Sequence, residues 1–382
     1  MEGASPSQRD LRLDVFRGIA LIVIAIAHVP FNPLAAYMPG RFGYSDAAEI
    51  FVFVSGAASA IAFGRLYETR GFALATARVA QRVWQVYWVH VGVFLVLAAS
   101  MARLGTLPDG EGLYIERLWL VPFFEDTVDN LIAFLTLTYV PNYFDILPMY
   151  LVILAMIPVA MALARVSPLL ALGASLGLWT IAQTGALGLP AEPWSERPWF
   201  FDPFAWQVLF FAGFYVARGT IPVPAFTKRR VGAALAIVAG SALLAWAPAR
   251  EAVPALASLA ETIVPLASKT QLGIARIVHF LALAYCAVYV VERWGWVLRT
   301  AAAGALARLG GQSLAVFAVG LVASQAMGVA LDHVGRDALP VILVNAAGIA
   351  ALFACAEIAI WFKSAPWKAR RASARPQVVP AE

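Results

Sequence analysis

The chain has 382 residues, of which 61% are hydrophobic and only 13% charged, and its mean hydropathy is +0.76. Soluble domains carry roughly 25% charged residues, so this composition excludes a soluble globular protein and predicts an all-α integral membrane protein. The formal net charge of +5 gathers in particular loops, which is typical of membrane orientation and argues against a nucleic-acid partner.

Ten apolar stretches are long enough to cross about 30 Å of hydrocarbon as helices. They lie at about residues 15–36, 47–64, 83–102, 146–164, 168–188, 203–217, 231–247, 273–291, 309–331 and 339–362. If the N-terminus is cytoplasmic, twenty of the 28 lysines and arginines fall on its side of the membrane, seven on the other, and Arg276 within a span. Cytoplasmic loops collect Lys and Arg, so about ten transmembrane helices with both termini in the cytoplasm are predicted.

No internal repeat or soluble domain interrupts these stretches. A single membrane domain over residues 1–362 is therefore predicted, followed by a basic cytoplasmic tail over 363–382 that lies near anionic lipid. Cys286 and Cys355 fall in predicted spans, so no disulfide framework is implied. A signal peptide cleaved near residues 34–36 is the competing interpretation of the first stretch, and it would discard His28.

The first stretch carries Arg17 and His28 eleven positions apart. Eleven residues of α-helix come within about 20° of three whole turns and rise about 16 Å, so both side chains share one helix face. Such a pair could hold two ends of one extended ligand. Pro30 and Pro33 follow, and they predict that the helix kinks or ends just beyond the histidine, beside a wet outer cavity.

Polar residues recur in the second span. Asp46 and Glu49 are three apart and share a helix face, and Ser55 follows two turns later. The acidic connection after the third span, about residues 103–145, is predicted outside, and its apolar part at 130–139 is too short to span, so it is interfacial or re-entrant.

The sixth and eighth spans add further polar groups. Trp206 and Gln207 enter the membrane from the outer side, and Arg276 and His279 are three apart early in the eighth span. Charges within hydrocarbon cost roughly 3 kcal/mol or more, so they mark paired sites that face a cavity. Five of these groups project to the outer half and are expected to converge on one pocket: His28, Asp46, Glu49, Arg276 and His279.

Simpler roles stay open for several of these residues. His28 could be a structural histidine, and Asp46 a helix cap at the membrane surface. Arg276 could extend to the outer headgroups. Asp14 and Arg17 could form an ordinary interfacial ion pair.

Residues 12–18 with His28, and residues 45–56, together resemble the OpgC family of membrane acyltransferases, relatives of the wider acyltransferase-3 group. Further similarity lies at residues 147–150, 202–207, 276–280 and 310–317. The resemblance implies transfer of an acyl group, succinyl in the named members, from cytoplasmic acyl-CoA to osmoregulated periplasmic glucans. It also implies a multi-pass protein of the bacterial inner membrane whose pocket opens toward the periplasm.

Under this resemblance, His28 and Arg17 match the histidine and arginine of the family's arginine–histidine motif. We hypothesise that neutral His28 acts as general base and that Glu49 or Asp46 orients its other nitrogen. Arg276 would stabilise the oxyanion or bind the succinyl carboxylate, two roles that the sequence does not separate.

The remaining expectations concern the two substrates. Arg17, with Asp14 beside it, would meet the CoA phosphates. Four further residues are expected to contact substrate: His279, Trp206, Gln207 and Ser55. No metal is expected. The main competing function is a transporter or flippase for a glucan or a lipid-linked saccharide, because charges in a polar membrane pocket suit that function as well.

Overall fold

The computed structural model describes residues 11–368, so the predicted tail lies outside the described residues from position 369 onward. Within the described range the regular structure is helical, apart from two isolated β-bridges. The α-helices are α1 (Leu11–Ala27), α2 (Ala47–Ser59), α3 (Arg65–Thr69), α4 (Phe72–Leu104), α5 (Val121–Glu125), α6 (Thr127–Leu135), α7 (Ile146–Val166), α8 (Pro168–Ala182), α9 (Pro203–Ala217), α10 (Lys228–Ala245), α11 (Ala247–Ala252), α12 (Pro254–Ile263), α13 (Ile274–Arg293), α14 (Ala301–Gly311), α15 (Ser313–Val334) and α16 (Ala338–Ser364).

Six helical segments of the described chain are long and apolar enough to cross a membrane. They are Ala47–Thr69, which runs through α2, a π-helical turn and α3, and the single helices α4, α7, α13, α15 and α16. Three shorter apolar segments are α8, α9 and Pro254–Ala267. The all-helical, multi-pass membrane class is confirmed, while the count of ten spans and the cytoplasmic location of both termini stay predictions.

The predicted break after the histidine is present. α1 ends at Ala27, and Pro33 opens a short 3₁₀ helix in which the side chain of Asn32 accepts the N–H of Leu34. α1 is therefore shorter at its C-terminal end than the apolar stretch 15–36 suggested, because proline removes a backbone donor and the chain turns along the cavity instead.

The region predicted as an interfacial or re-entrant helix at 130–139 is helical only as far as Leu135. α6 begins earlier than expected, at Thr127, because the carboxylate of Asp126 accepts the N–H of Asp129 and caps the helix. Thr136 to Tyr139 form a turn that leads back toward α7. Hydropathy located the apolar segment, but the capping hydrogen bond determined where α6 begins.

α1 packs mainly against three helices, α2, α14 and α15. Its contact with α14 is close because a Cβ atom on Gly310 would overlap the backbone carbonyl oxygen of Asp14, and one on Gly18 would overlap that of Leu306. Small residues let membrane helices approach to backbone distance. This contact fixes the height and rotation of α1 and so positions the polar groups at both of its ends.

Candidate functional site

A cavity of about 460 Å³ opens beside the end of α1. Its walls are the C-terminal end of α1 with the turn that follows, the N-termini of α2 and α7, and the loops that carry Trp119, Arg197 and Lys269. Its polar and aromatic lining consists of His28, Arg41, Asp46, Trp119, Asn142, Tyr143, Asp145, Arg197, Phe200, Phe201 and Lys269. We call this space the outer cavity.

The imidazole of His28 has a defined orientation. Its Nδ1 lies 2.6 Å from the carbonyl oxygen of Ile24, one helical turn below. Because a carbonyl only accepts, Nδ1 carries the proton, and in the neutral ring Nε2 is the basic nitrogen. The ring packs at a 56° tilt against Tyr143, with the centroids 5.4 Å apart.

The hypothesis that Glu49 or Asp46 orients His28 is therefore incorrect. The backbone of α1 supplies the acceptor for the histidine, and Glu49 has other partners. Its carboxylate accepts the backbone N–H of Asp46 at 2.7 Å and the Nε–H of Arg276 at 2.6 Å. Glu49 is fully buried, so its negative charge serves this pair and not the cavity.

Asp46 has two functions at once. It caps α2 through a capping box with Glu49, and it lines the outer cavity. Its Oδ2 accepts from Lys269 Nζ at 2.6 Å and lies 3.5 Å from Arg276. Burial alone would raise the pKa of Asp46, but Lys269, the hydrogen bonds and Arg276 together hold that pKa below its usual range.

The expected convergence of five polar groups is only partly correct, since His28 and Asp46 line the outer cavity and Glu49, Arg276 and His279 do not. Arg276 is 8% exposed and lies behind Asp46, so it does not extend to headgroups. The Nδ1 of His279 accepts the N–H of Ser45 at 3.1 Å and is 2.7 Å from its hydroxyl. Arg276 and His279 both bond to residues at the start of α2, so neither side chain lines the cavity.

Trp206 and Gln207 also lie outside this cavity. The indole N–H of Trp206 donates to the carbonyl of Lys269 at 2.9 Å, which fixes the loop that carries the lysine. The amide of Gln207 bonds to the hydroxyl and carbonyl of Ser175 on α8. Each buried polar group is satisfied within the helix bundle, so neither faces the space where substrate would sit.

Several lining residues were not singled out by the sequence, among them Arg41, Trp119, Tyr143, Asp145 and Lys269. Trp119 and Tyr143 have left-handed backbone, with φ of 55° and 71°. Such conformations cost of order 1 kcal/mol each in non-glycine residues and cluster at functional sites. Among these residues, only Asp145 had a feature in the sequence that could have marked it, because it is a carboxylate directly before an apolar helix.

A second cavity, of about 300 Å³, lies at the other end of α1, and we call it the basic cavity. Its polar lining consists of Arg17, Ser55, Ser59, Arg78, Arg82, Gln85, Tyr150 and Ser313. Ser55, expected to contact substrate, lines this cavity and not the outer one. The three arginines are those that the loop charges assigned to the cytoplasmic side.

Arg17 is buried, with only 7% of its surface exposed. Its guanidinium bonds to Asp14 at 3.3 Å and to the backbone carbonyls of Gly310 and Val54 at 3.4 and 3.3 Å. The pair of Asp14 and Arg17 thus ties α1 to α14 and α2, and it is not an exposed interfacial pair. Arg78 and Arg82 of α4 are the more accessible cations of the basic cavity.

A narrow apolar seam of about 10 Å³ runs between α1 and α15, from the level of Leu21 up to His28. Val316, Phe317 and Gly320 form its α15 side. Ser313 borders the basic cavity one turn below, and the hydroxyl of Ser324 donates to the Ala25 carbonyl at 2.8 Å near the top. The seam therefore lies between the two cavities along one helix pair.

Residues 9–364 match the protein family described as OpgC protein. The chain belongs to the OpgC family. No curated protein and no solved structure matches it. Membership of the OpgC family suggests glucan succinylation and implies an acyltransferase. No group of His, Cys, Asp and Glu that could hold a metal ion is present within residues 11–368.

Proposed function

We propose that this OpgC protein transfers a succinyl group from cytoplasmic succinyl-CoA to a hydroxyl group of a periplasmic glucan. The succinyl group and the glucan are supported by family membership. The single observation that carries the mechanism is that one helix, α1, borders both polar cavities, with Arg17 at the basic cavity and His28 at the outer cavity. A donor that enters from one side of the membrane can thereby meet an acceptor from the other.

The reaction proceeds in the outer cavity with His28 as general base. Nε2 takes the proton of the glucan hydroxyl while that oxygen attacks the thioester carbonyl. The tetrahedral intermediate then collapses, a C–O bond having formed and the C–S bond breaking, and the imidazolium returns its proton to the CoA thiolate. The hydrogen bond from Nδ1 to Ile24 keeps the ring in the required tautomer throughout.

The CoA phosphates are assigned to the basic cavity. Arg78 and Arg82 supply accessible guanidinium groups, which bind phosphate with paired hydrogen bonds. Arg17 is buried in the wall of this cavity, where Asp14 holds its guanidinium, and it contributes positive charge to the site. The pantetheine arm extends through the seam, which requires α1 and α15 to separate because the seam is closed to about 10 Å³ here.

The free carboxylate of a succinyl group needs a cation in the outer cavity. Arg276, the candidate from the sequence, is occupied by Glu49 and lies outside the lining. Lys269 pairs with Asp46, and Arg197 pairs with Glu192 at 2.9 Å. Arg41 lines the cavity and forms no ion pair within the described part of the chain, so we assign the carboxylate to Arg41.

Mass spectrometry of glucans from cells that contain or lack the protein tests the function. Succinylated glucan should be present only with the protein. Purified protein should also bind succinyl-CoA, and transport of unmodified glucan without any acylation would instead support the transporter.

The carboxylate assignment is tested by comparing succinyl-CoA with acetyl-CoA as donor. Arg41→Gln should weaken use of succinyl-CoA by about tenfold or more, the value of one charge-assisted pair, and leave acetyl transfer unchanged. Arg103→Gln, at the exposed end of α4, is the matched control. Equal loss with both donors would contradict a selective role for Arg41.

A further inference from the structure

Asp145 is a buried carboxylate that faces the outer cavity. The residue precedes α7 and is 9% exposed, and its side chain belongs to the same lining as His28. It forms no ion pair within residues 11–368, and only the backbone N–H groups of Asp145 and Phe200 bond to its carboxylate. Asp46, the other acidic lining residue, accepts from Lys269 and from the N–H of Ala48. A buried carboxylate without an ion pair is costly, and this one borders an open cavity, so its position suits a polar ligand.

A structural role does not account for Asp145. It occupies the N-cap position of α7 but makes no capping hydrogen bond, and its φ and ψ of −71° and −36° are helical. Asp202 provides the contrast within the same fold. It stands before α9 in extended conformation, and its carboxylate accepts the N–H of Phe204 at 2.8 Å. Capping geometry therefore explains Asp202 and fails for Asp145.

The surroundings of Asp145 set its charge state. Burial raises the pKa of Asp145 to about 7, although Arg197 and the backbone N–H groups of Asp145 and Phe200 act in the opposite direction. A carboxyl group near this value accepts or donates a hydrogen bond with little cost at neutral pH. Hydroxyl groups, which both donate and accept, are the matching ligands.

We propose that Asp145 binds a hydroxyl group of the acceptor sugar and holds the acceptor against His28. This inference rests on the proposed function. The chemistry favours the acceptor over the donor because a carboxylate beside the succinyl carboxylate would repel it, and Arg41 already offers the donor a cation. Trp119 and Phe200, which are 49% and 44% exposed, add aromatic faces on which a sugar ring packs.

The test measures transfer by purified protein while the concentrations of glucan and succinyl-CoA are varied separately. Asp145→Ala should raise the KM for glucan by about tenfold or more, the usual cost of losing a hydrogen bond to a charged group, and leave the KM for succinyl-CoA unchanged. Asp145→Asn keeps an acceptor oxygen and a donor, so its KM for glucan should lie between those of the wild type and Asp145→Ala. Asp202→Asn, which still caps α9, is the matched control and should behave as wild type.

The outcomes separate the possible failures. Loss of kcat in both Asp145 variants at unchanged KM for glucan would overturn the proposal and indicate a role in the chemical step. An equal rise of both KM values would also overturn it, as a general distortion. If Asp145→Ala does not fold, the KM of Asp145→Asn for glucan tests the proposal alone, and a value equal to that of the wild type would overturn it. Absence of transfer by wild-type protein would instead contradict the proposed function itself.

Discussion

At the scale of single residues, His28 has its tautomer set by the backbone of α1, the helix that it directly follows. Nδ1 donates to a main-chain carbonyl of Ile24, so no acidic partner is needed to fix the tautomer. His333 makes the same contact, with Nδ1 2.9 Å from the carbonyl of Val329, but it lies exposed at the end of α15. The two residues thus share local geometry and differ in whether a cavity adjoins the ring.

We predict that His28→Ala lowers transfer by at least about 100-fold, the usual minimum for loss of a general base. His333→Ala removes an equivalent imidazole and should retain normal transfer. Both variants are to be compared by initial rate at saturating substrate, with thermal unfolding in detergent as a check of the fold. Substantial transfer by His28→Ala would end the assignment of the base.

The raised pKa of Asp145 has a consequence for stability. Folded protein retains this proton up to about pH 7, whereas the unfolded chain loses it near pH 3.9. This one group therefore stabilises the fold at acidic pH, loses that contribution as the pH rises from about 4 to 7, and adds no further change above 7. Relative to wild type, Asp145→Asn should gain in Tm across that interval and then keep a constant difference. A difference in Tm that does not vary with pH would contradict the assignment.

At the scale of the helices, α1 determines the geometry of both cavities. It is held from below by contact with α14, where Gly310 allows the backbones to approach, and by the guanidinium of Arg17, which reaches carbonyls on both neighbouring helices. Its other side faces α15 across the seam. The helix is therefore held near both ends, by Arg17 below and by the hydroxyl of Ser324 on α15 above, and the donor path would require the bond to Ser324 to open.

Gly310→Ala should destabilise the protein by about 1–3 kcal/mol, because the added methyl overlaps the Asp14 carbonyl and over-packs the contact. Gly240→Ala in α10, where a Cβ meets no atom within 4 Å, is the control and should be neutral or stabilising. Thermal unfolding in detergent measures the difference. Equal Tm values for the two variants would show that the close contact of α1 and α14 is not important for stability.

The seam offers a direct test of the donor path. A Cβ atom on Gly320 would lie 3.9 Å from the Cβ of Ala25, a separation suited to a disulfide. Ala25→Cys with Gly320→Cys, in a background in which Cys286 and Cys355 are replaced by serine, should crosslink α1 to α15 on oxidation. Transfer should then fall to a small fraction of its reduced rate and recover with reductant.

Each single cysteine variant, treated with the same oxidant, is the control for that experiment and should keep its activity. Full transfer by the crosslinked protein would show that the donor does not pass between these two helices.

At the scale of the whole molecule, the two cavities face opposite ends of the bundle, and they differ in charge. The basic cavity carries three arginines, whereas the outer cavity combines cations with Asp46 and Asp145. This division suits a phosphorylated donor on one side and a neutral saccharide on the other. It also matches the excess of Lys and Arg in the loops predicted to be cytoplasmic.

Reconstituted vesicles that contain glucan in the lumen and succinyl-CoA only outside should therefore produce succinylated glucan in the lumen. Molecules whose basic cavity faces outward would perform this transfer. Vesicles made with the Ala25→Cys and Gly320→Cys protein, oxidised, are the matched control. Product that forms only when both substrates share a compartment would contradict transfer across the membrane.

The sequence by itself determined the membrane class, most helix positions, the break after His28 and the family, because these depend on hydropathy, on proline and on residues near one another in the chain. Tertiary structure decided which polar groups face substrate. Glu49 and Arg276 are 227 positions apart, and their pairing turns both away from the outer cavity. Nothing in the sequence separated Asp145 from the other acidic loop residues until the fold placed it in the lining of the His28 cavity without an ion pair. Partner choice for a buried charge depends on contacts between distant segments.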